Sequence, residues 1–321
     1  MNADNIRRFF APWFTLLTLM LATASALSLA GRWHWLADVF AHFVPHYFAT
    51  GVLLLLGFIW AKRYSWAAVA LAVVMWNGWL LSPYMLPHRA PQREGGVLLE
   101  LLQFNLSSTN PAPLAAIGYI LSLEDPPDVV VLFETTPAFA LDVTRLNSIY
   151  PTIAQMPRSD NFGMAVLSRL EDSEVEFRET GPFAVPSMVL SGRVGAETIR
   201  IYAAHPPPPL GARLNDARNA QLRELAAEIS RDAGGNVVVA GDLNTTVWSH
   251  AFKPLIETAR LRDAQRGHGY LPTWAPPPYA RWVGVPVDLT LVSENFRVER
   301  RHVGPWLASD HWPVHTSLRL R

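Results

Sequence analysis

Three long apolar stretches occupy the N-terminal part of the chain. They run from Ala11 to Ala30, from Phe40 to Ala61 and from Tyr64 to Pro87. Each is close to the ~20 residues that a helix needs to cross the hydrocarbon core of a bilayer. A helix on a soluble core would carry a polar face, and these stretches have none, so the pattern predicts three membrane-spanning helices.

The first stretch follows two arginines, Arg7 and Arg8, as the apolar part of a signal peptide would. It is long for that role, and two further apolar stretches follow it, so we interpret it as an uncleaved helix. The polar residues His42, His46 and Asn77 lie inside the stretches. We expect them to form hydrogen bonds between helices.

The side of the membrane is predicted from the few charged residues in the short loops. Those on one side are Arg7, Arg8, Lys62 and Arg63, and those on the other are Arg32 and Asp38. Arginine and lysine concentrate on the cytoplasmic side, so the first group is expected there. Three crossings then place everything after Pro87 outside the cytoplasmic membrane. The sequence therefore predicts a multi-pass inner-membrane protein with an extracytoplasmic domain.

The hydrophobic period changes at Val97, after a stretch at 88–96 that mixes charge, proline and glycine and predicts a linker. This divides the chain into a membrane anchor at residues 1–88 and a second domain at 97–321. Apolar runs then predict strands at 97–105, 128–134, 163–169, 198–205, 237–244, 287–293 and 315–321. Helical spacing occupies 111–124 and 214–235. Mixed strands and helices over this length predict one α/β domain with a large sheet core.

Most of the predicted strands begin or end at a polar side chain. The set comprises Asn105, Glu134, His205, Asp242, Asn244 and Asp288, with Asp310 and His311 just before the last strand. Strand ends are where a rigid sheet presents its chemistry. The chain has no cysteine, which excludes thiolate metal sites and cysteine nucleophiles. Oxygen ligands with two histidines suit a hard divalent cation such as Mg²⁺, Mn²⁺ or Ca²⁺.

The stretch VVVAGDLN (237–244) illustrates the chemistry of such an end. Because side chains alternate along an extended chain, Asp242 and Asn244 point to the same side. The carboxylate can hold a cation or a water, and the amide can donate to a phosphate oxygen. Taken singly, each residue of the set is also explained by a turn, a helix cap or a solvated strand end. Their combination in one chain favours a functional site.

The order of these residues resembles the endonuclease/exonuclease/phosphatase superfamily, the DNase I-like proteins, over roughly Leu99 to Arg321. The most specific motifs are VVVAGDLN and SDHWPV (309–314), accompanied by FE at 133–134, FGMAVLSR at 162–169 and VDLTLVS at 287–293. The resemblance implies a four-layer α/β/β/α sandwich. It also implies a phosphoesterase that depends on a divalent metal, with Mg²⁺ or Mn²⁺ as its cofactor.

The resemblance implies a role for each residue of the set. The implied metal ligands are Asn105, Glu134 and Asp310. The implied catalytic residues are His205, Asp242, Asn244, Asp288 and His311. Among them, His311 acts as general base while Asp288 orients its ring, an arrangement that suits proton transfer near neutral pH.

Three positions near these motifs depart from the family pattern or leave it open. Gln usually precedes the metal-binding Glu, and Phe133 stands there instead. His or Tyr often follows the position of Asp288, where this chain has Leu289. The second polar residue expected after the first strand is either Ser107 or Asn110. The first two departures bear on the substrate more than on the metal site.

The expected substrate is a phosphate ester or pyrophosphate linked to a membrane lipid. A tether of a few residues raises the local concentration of lipid-borne phosphates at the domain. The layout also resembles membrane phosphatases suspected of acting on polyprenyl or other lipid pyrophosphates. The aromatic residues Trp274, Tyr279 and Trp282 suit contact with lipid. The residues assigned to substrate binding are Arg213, Arg218, Trp274 and Arg281.

Two alternative functions stay open. An extracytoplasmic endo- or exonuclease could stack bases on the same aromatic residues. The formal net charge of zero, however, provides no strongly basic field for nucleic acid. A catalytically inactive binding module could have kept the fold, but the complete set of acidic, amide and imidazole side chains argues against it. The sequence therefore favours a membrane-anchored, metal-dependent phosphoesterase.

Overall fold

Four helices begin the chain. The structure, a computed structural model, describes residues 3–87, 95–232, 234–277 and 280–320. The helices are α1 (Ala3–Leu27), α2 (Trp35–Phe40), α3 (Val44–Trp60) and α4 (Tyr64–Met85). The hairpin of α3 and α4 packs against α1, and small or apolar side chains such as Leu54, Phe58 and Ala70 are buried between them. These four helices are called the N-terminal bundle below.

Three segments of the N-terminal bundle are long and apolar enough to cross a membrane. They are Asn5–Ala30, Trp35–Trp60 and Tyr64–Met85. The second begins before the predicted Phe40 because α2 leads directly through a short 3-10 turn into α3. Large apolar side chains point outward, with Leu53, Met75 and Trp79 each about two-thirds exposed. An outward apolar surface of this kind is what contact with lipid requires.

Twelve strands and four further helices follow in the described part of the chain. The strands are β1 (Val97–Asn105), β2 (Val129–Phe133), β3 (Thr152–Met156), β4 (Met164–Ser168), β5 (Glu171–Thr180), β6 (Val185–Val194), β7 (Glu197–Ala204), β8 (Asn236–Asp242), β9 (Arg262–Asp263), β10 (Asp288–Val292), β11 (Phe296–Val303) and β12 (Val314–Leu320). The helices are α5 (Leu114–Ser122), α6 (Pro137–Val143), α7 (Ala212–Ile229) and α8 (Phe252–Ala259).

The strands form two mixed six-stranded sheets. Their orders are β11-β12-β1-β2-β4-β3 and β5-β6-β7-β8-β10-β9. Apolar side chains from both sheets, such as Val131, Phe133, Ile201 and Val238, pack between them. Helices α5 and α6 cover the outer face of the first sheet, and α7 and α8 cover the second. The four-layer α/β/β/α sandwich implied by the resemblance is therefore confirmed.

All seven strands predicted from apolar runs are present, with ends that differ by up to two residues. Strands β3, β5, β6, β9 and β11 and the short helices α2, α6 and α8 were not predicted. Strand β5 lies at a sheet edge, and its sequence EDSEVEFRET is dominated by exposed charges. A strand with one solvated face and an open edge lacks the apolar run that identifies a central strand.

The N-terminal bundle packs directly against the sandwich. The backbone amides of Gly267 and Gly269 donate to the carbonyls of Pro83 and Tyr84, at 3.1 and 2.9 Å. The indole of Trp248 donates to the carbonyl of Leu80 at 3.2 Å. The predicted linker lies largely outside the described residues, because 88–94 are not among them. The bundle and the sandwich are thus joined by contacts as well as by the chain.

The polar residues inside the predicted spans differ in their partners. Asn77 donates to Ser25 Oγ of α1 at 2.9 Å, so the expected hydrogen bond between helices is confirmed there. His42 instead contacts Thr246 Oγ1 at 3.0 Å, and His46 contacts the carbonyl of Val283 at 3.0 Å. For both histidines the prediction was wrong, because their partners belong to the sandwich.

Candidate active site

Strand pairing explains why the polar strand ends meet. Strands β1 and β2 are parallel, as are β7 and β8, so their C-terminal ends lie at the same rim of the sandwich. Strands β10 and β12 run antiparallel to β8 and β1, which brings their N-terminal ends to that rim. The predicted residues at this rim are Asn105, Glu134, His205, Asp242, Asn244, Asp288, Asp310 and His311.

Asn105 links the two sheets at the centre of the rim. Its Nδ2 donates to Glu134 Oε1 at 3.1 Å and to Asp242 Oδ2 at 3.0 Å. Its Oδ1 accepts from the backbone amide of Ser107 at 2.9 Å. The amide oxygen therefore faces its own loop, and the amide nitrogen orients the two carboxylates. A direct metal contact by Asn105, which the resemblance implies, stays a prediction.

A histidine lies between two carboxylates on the second sheet. His311 Nδ1 is 2.9 Å from Asp288 Oδ2, and His311 Nε2 is 3.5 Å from Asp242 Oδ2. His205 Nε2 lies 3.4 Å from the same Asp242 oxygen. The side chains of His205, Asp242, Asp288 and His311 are all buried. Asp288 thus holds the ring of His311 at Nδ1, and the catalytic role that the resemblance implies for this pair stays a prediction.

The backbone is strained around this cluster. Glu134 and Asn244 have φ angles of 58° and 48°, and Ser107 and Ala308 have 58° and 62°. Residues other than glycine rarely adopt positive φ, and such residues concentrate at functional sites. In Asn244 the conformation is supported by its backbone amide, which donates to Asp242 Oδ1 at 3.0 Å. Local hydrogen bonds therefore determine where these side chains point.

The charges of the cluster depend on one another. Burial alone would lower the pKa of His311, but Asp288 and Asp242 raise it to about 10. Burial also opposes the charge of His205, and its hydrogen bond to Asp242 still raises its pKa. Burial would raise the pKa of Asp242, whereas His311 and His205 lower it overall. At neutral pH and without a cation, Asp242 is therefore ionised beside a protonated His311.

The donors at the rim fit a hard divalent cation. Ligand atoms of Asp242, Asp288 and His311 lie within 4.8 Å of one another. Both ring nitrogens of His311 are already directed at carboxylates, so the ring is a poor ligand. Glu134 is linked to Asp242 through Asn105. Asp288 Oδ1 is buried and has no hydrogen-bond partner among the described residues. Oxygen-rich donors of this kind suit Mg²⁺ or Mn²⁺.

The site opens into a cavity of about 620 Å³. Its polar floor is formed by Glu134, His205, Asp242, Asn244, Asp310 and His311. One apolar wall comes from the sandwich and contains Pro207, Pro208, Pro209, Leu210, Leu214, Val285 and Val287. A second wall comes from the N-terminal bundle and contains Val39, His42 and Phe43. The bundle thus contributes directly to the cavity that contains the polar cluster.

Only some of the residues assigned to substrate binding line the cavity. Trp274 lines the cavity, and its indole donates to Asp310 Oδ2 at 3.0 Å. Arg213 is exposed and lies over the ring of Phe183. Arg281 donates to the carbonyl of Pro272 at 3.2 Å. Neither of these two arginines lines the cavity. Tyr279 lies outside the described residues.

Arg218 has a different position from the one expected of a phosphate-binding residue. Its side chain is fully buried and forms an ion pair with Asp38 of the N-terminal bundle at 2.7 Å. A guanidinium without solvent access needs such a partner, because an unpaired buried charge is costly. Arg218 therefore lies behind the site rather than in the cavity.

Several supporting residues were missed by the sequence analysis. Thr273 Oγ1 accepts from the backbone amide of Asp288 at 3.1 Å. Ser309 Oγ donates to the carbonyl of Asn105 at 2.9 Å. Arg301, buried between the strands, donates to the carbonyl of Asp288 at 2.7 Å. No sequence signal marks these contacts. Asp38 did have a sequence signal, because it is the only acidic residue between Phe9 and Pro87.

Comparison with known proteins decides the family. Residues 102–311 match the endonuclease/exonuclease/phosphatase family. The chain belongs to the endonuclease/exonuclease/phosphatase family. The match spans the rim residues from Asn105 to His311. No curated protein sequence matches the chain.

Several solved structures share this fold. An endonuclease/exonuclease/phosphatase from Beutenbergia cavernae is 22% identical with a TM-score of 0.57, and the match covers 70% of this chain and 72% of that one. D. rerio TDP2, complexed with a single-strand DNA product, is 16% identical with a TM-score of 0.53, covering 69% and 99%. The human Nocturnin catalytic domain, with bound sulfate, is 16% identical with a TM-score of 0.53, covering 70% and 95%.

The departures from the family pattern have structural explanations. The Phe133 side chain is buried in the core between the sheets, with its ring 5.7 Å from that of His205. Leu289 packs in the core beneath α7 and α8. Ser107 holds Asn105 through its backbone amide. Asn110 instead donates to the carbonyls of Leu106 and Leu307, which fixes the loop.

Proposed function

We propose that this protein is a membrane-anchored phosphoesterase that requires a divalent cation and hydrolyses phosphate esters or pyrophosphates of lipid-linked substrates. Proteins of the family act on phosphoester bonds, and the chain belongs to that family. The observation that carries the proposal is the convergence of the polar strand ends on the floor of one cavity. We divide the chain into an anchor at 1–88 and a catalytic domain at 97–321.

The described side chains suggest a role for each polar residue. Glu134, Asp242 and Asp310 would hold Mg²⁺ or Mn²⁺, with Asn105 orienting the first two. Such a cation neutralises phosphate oxygens and lowers the pKa of bound water. Positioning and charge neutralisation supply most of the barrier reduction in phosphoryl transfer. The amide of Asn244 and the imidazole of His205 would contact the phosphate and the leaving group.

His311 is proposed as the general base, held by Asp288. Because Asp288 and Asp242 raise its pKa to about 10, the ring is protonated at neutral pH in the absence of a cation. The ring becomes a base only when positive charge offsets the two carboxylates. Base catalysis by His311 and cation binding are therefore coupled in this proposal.

The walls of the cavity support a lipid-linked substrate. Besides its polar floor, the cavity is lined by proline and leucine side chains of residues 207–214 in the sandwich. It is also lined by Val39 and Phe43, from a segment apolar enough to cross a membrane. A phosphate on the floor would therefore leave its attached group beside apolar side chains. Burial of a hydrocarbon chain there would stabilise binding by about 25 cal/mol per Å² of apolar surface buried.

The proposed location is the outer side of the cytoplasmic membrane. Arg7 lies 5.5 Å from the ring of Trp60, at the end of the N-terminal bundle remote from Asp38. Lys62 and Arg63 follow Trp60 at the same end. Arg7, Lys62 and Arg63 thus share one end of the bundle, and the sandwich packs against the other end, where Arg32 lies. With the basic end in the cytoplasm, the cavity faces the extracytoplasmic side.

The proposal is tested with the full-length protein in detergent micelles and Mg²⁺. The substrates are a prenyl pyrophosphate, a phospholipid phosphate monoester and single-stranded DNA. Phosphate release from a lipid substrate, lost in Glu134→Gln and His311→Ala, supports the proposal. Cleavage of DNA without hydrolysis of either lipid would support the nuclease alternative. Absence of turnover on every substrate would favour a binding module.

A further inference from the structure

Asp38 is an acidic residue of the N-terminal bundle whose carboxylate, among the described residues, forms its hydrogen bonds only with the sandwich. Its side chain is 2% exposed. Its Oδ2 accepts from Arg218 Nη2 at 2.7 Å, and both its oxygens accept from Ser249 Oγ at 2.8 and 2.9 Å. Its Oδ1 also accepts from the backbone amide of His250 at 2.8 Å. The sandwich therefore provides a complete set of donors for this one carboxylate.

Arg218 transmits this contact to the catalytic loop. This loop begins at Asp242, the last residue of β8, and ends at His250. Arg218 Nη1 donates to the carbonyl of Asn244 at 3.0 Å, and Asn215 Oδ1 accepts from Nη2 at 2.7 Å. One guanidinium thus joins Asp38 to the backbone of a residue on the cavity floor.

The loop is held by the bundle at several residues, among them Trp248, whose indole donates to the carbonyl of Leu80 at 3.2 Å. Asp38 reaches Asn244 through Arg218 and contacts Ser249 and His250 directly. Between these points, His42 Nδ1 lies 3.0 Å from Thr246 Oγ1. Asn244 itself has a φ of 48°, a conformation that needs support from its surroundings. Docking of the bundle supplies part of that support.

We propose that Asp38 is a positioning residue for the catalytic loop, so that the N-terminal bundle is part of the active enzyme as well as its anchor. The inference rests on the proposed phosphoesterase function. Asp38 acts through Arg218 on Asn244 and, by way of the loop, on Asp242. A bundle that does not dock would leave Arg218 without its counter-charge and the loop without its outer support.

The energetics of the Asp38–Arg218 pair favour a role in positioning rather than in stability. Two buried charges gain little net stability over apolar residues of similar size, because both lose their hydration. Arg218 also donates a hydrogen bond to a backbone carbonyl of the cavity floor. A pair of apolar side chains could not donate this hydrogen bond. Misplacement of a catalytic group by about 1 Å can lower a rate about 100-fold.

The test compares four full-length variants in detergent micelles. Asp38→Asn removes the counter-charge but keeps the shape, and Ser249→Ala removes one neutral donor to Asp38. The double variant Asp38→Leu, Arg218→Met replaces the pair by apolar side chains. His46→Ala is the matched control, because it removes a different hydrogen bond between bundle and sandwich, to the carbonyl of Val283.

We expect Asp38→Asn to lower kcat about 10- to 100-fold with a small change in KM, and Ser249→Ala to have a smaller effect. The double variant should recover the melting temperature but not kcat, because it removes the Arg218 guanidinium that donates to the carbonyl of Asn244. His46→Ala should leave kcat unchanged. Recovery of kcat in the double variant, or an unchanged kcat in Asp38→Asn, would overturn the proposal.

Amide hydrogen exchange separates this inference from the proposed function. In Asp38→Asn the amides of residues 242–250 should exchange faster than in wild type, and in His46→Ala they should not. Faster exchange in a protein that hydrolyses no phosphoester would retain the positioning role and reject the activity. Unchanged exchange, with hydrolysis by wild type intact, would reject the positioning role alone.

Discussion

Asp242 and Asp288 lie directly opposite each other in the antiparallel ladder of β8 and β10. Residues paired in this way project to the same face of a sheet with Cβ atoms about 5 Å apart. His311 lies beside both, with one ring nitrogen near each carboxylate. Two like charges at this distance need positive charge nearby, which the protonated His311 provides and a bound cation would increase.

Replacement of Asp288 by Asn should reduce catalysis while leaving the fold intact. The amide keeps the size of the carboxylate but loses the charge that holds His311 Nδ1. We expect kcat to fall by about 10²- to 10⁴-fold. Steady-state kinetics on a phosphate ester test this, with the exposed Asp216→Asn as a control. If His311→Ala lowers the rate further in the Asp288→Asn background by its full single-variant factor, the two residues do not act together.

The pKa of His311 gives a prediction for the cation-free protein. Because Asp288 and Asp242 raise it to about 10, the ring should stay protonated through neutral pH. A histidine whose pKa is raised on folding stabilises the fold fully below about 6.5, and this contribution is lost as pH rises through 10. NMR titration in the presence of EDTA should find the His311 ring transition near 10, and a lower value in Asp288→Asn. A ring transition near 6.5 in wild type would contradict the structure.

Cation binding should depend on Glu134. A Lewis acid contributes several kcal/mol to phosphoryl transfer, so Glu134→Gln should lower kcat/KM by about 10²- to 10³-fold. Mn²⁺ should raise the melting temperature of wild type and have less effect on this variant. Glu257→Gln, on the exposed surface of α8, is the control. An equal Mn²⁺ response in wild type and Glu134→Gln would place the cation elsewhere.

Asp263 is a buried carboxyl outside the site that should limit stability at neutral pH. Burial raises its pKa to about 6, although Arg301 and Arg266 oppose this. A carboxyl with a raised folded pKa destabilises the fold as pH rises from about 4 to about 6, and the cost is complete above that. The difference corresponds to about 3 kcal/mol. Asp263→Asn should therefore melt at a higher temperature than wild type at pH 8 and at a similar one at pH 4.

The cavity wall from the N-terminal bundle should distinguish long from short substrates. Phe43→Ala removes an apolar side chain beside the cavity. We expect it to raise KM for a long-chain lipid phosphate about 10-fold and to leave a short, water-soluble phosphate ester unchanged. Leu53→Ala, which removes an outward side chain of the same bundle, is the control. Equal effects on both substrates would mean that the wall does not contact the chain.

The sequence by itself determined the central strands, the polar residues that end them and the apolar segments of the bundle. These features are local: a run of apolar residues marks a buried strand, and the residue that ends the run is read directly. The sequence could therefore identify site residues such as Asn105, Glu134 and Asp242, because parallel central strands place their C-terminal ends at one rim. The edge strand β5 could not be predicted, because its alternation of charges resembles a solvated surface.

Only the tertiary structure decided where long polar side chains go. Arg213 and Arg218 are five residues apart on one helix, yet one is exposed over Phe183 and the other is buried against Asp38. The direction of a helix face depends on what docks against it, and Asp38 is 180 residues away in the chain. Contacts of that range leave no local pattern, because the two partners are brought together by packing alone.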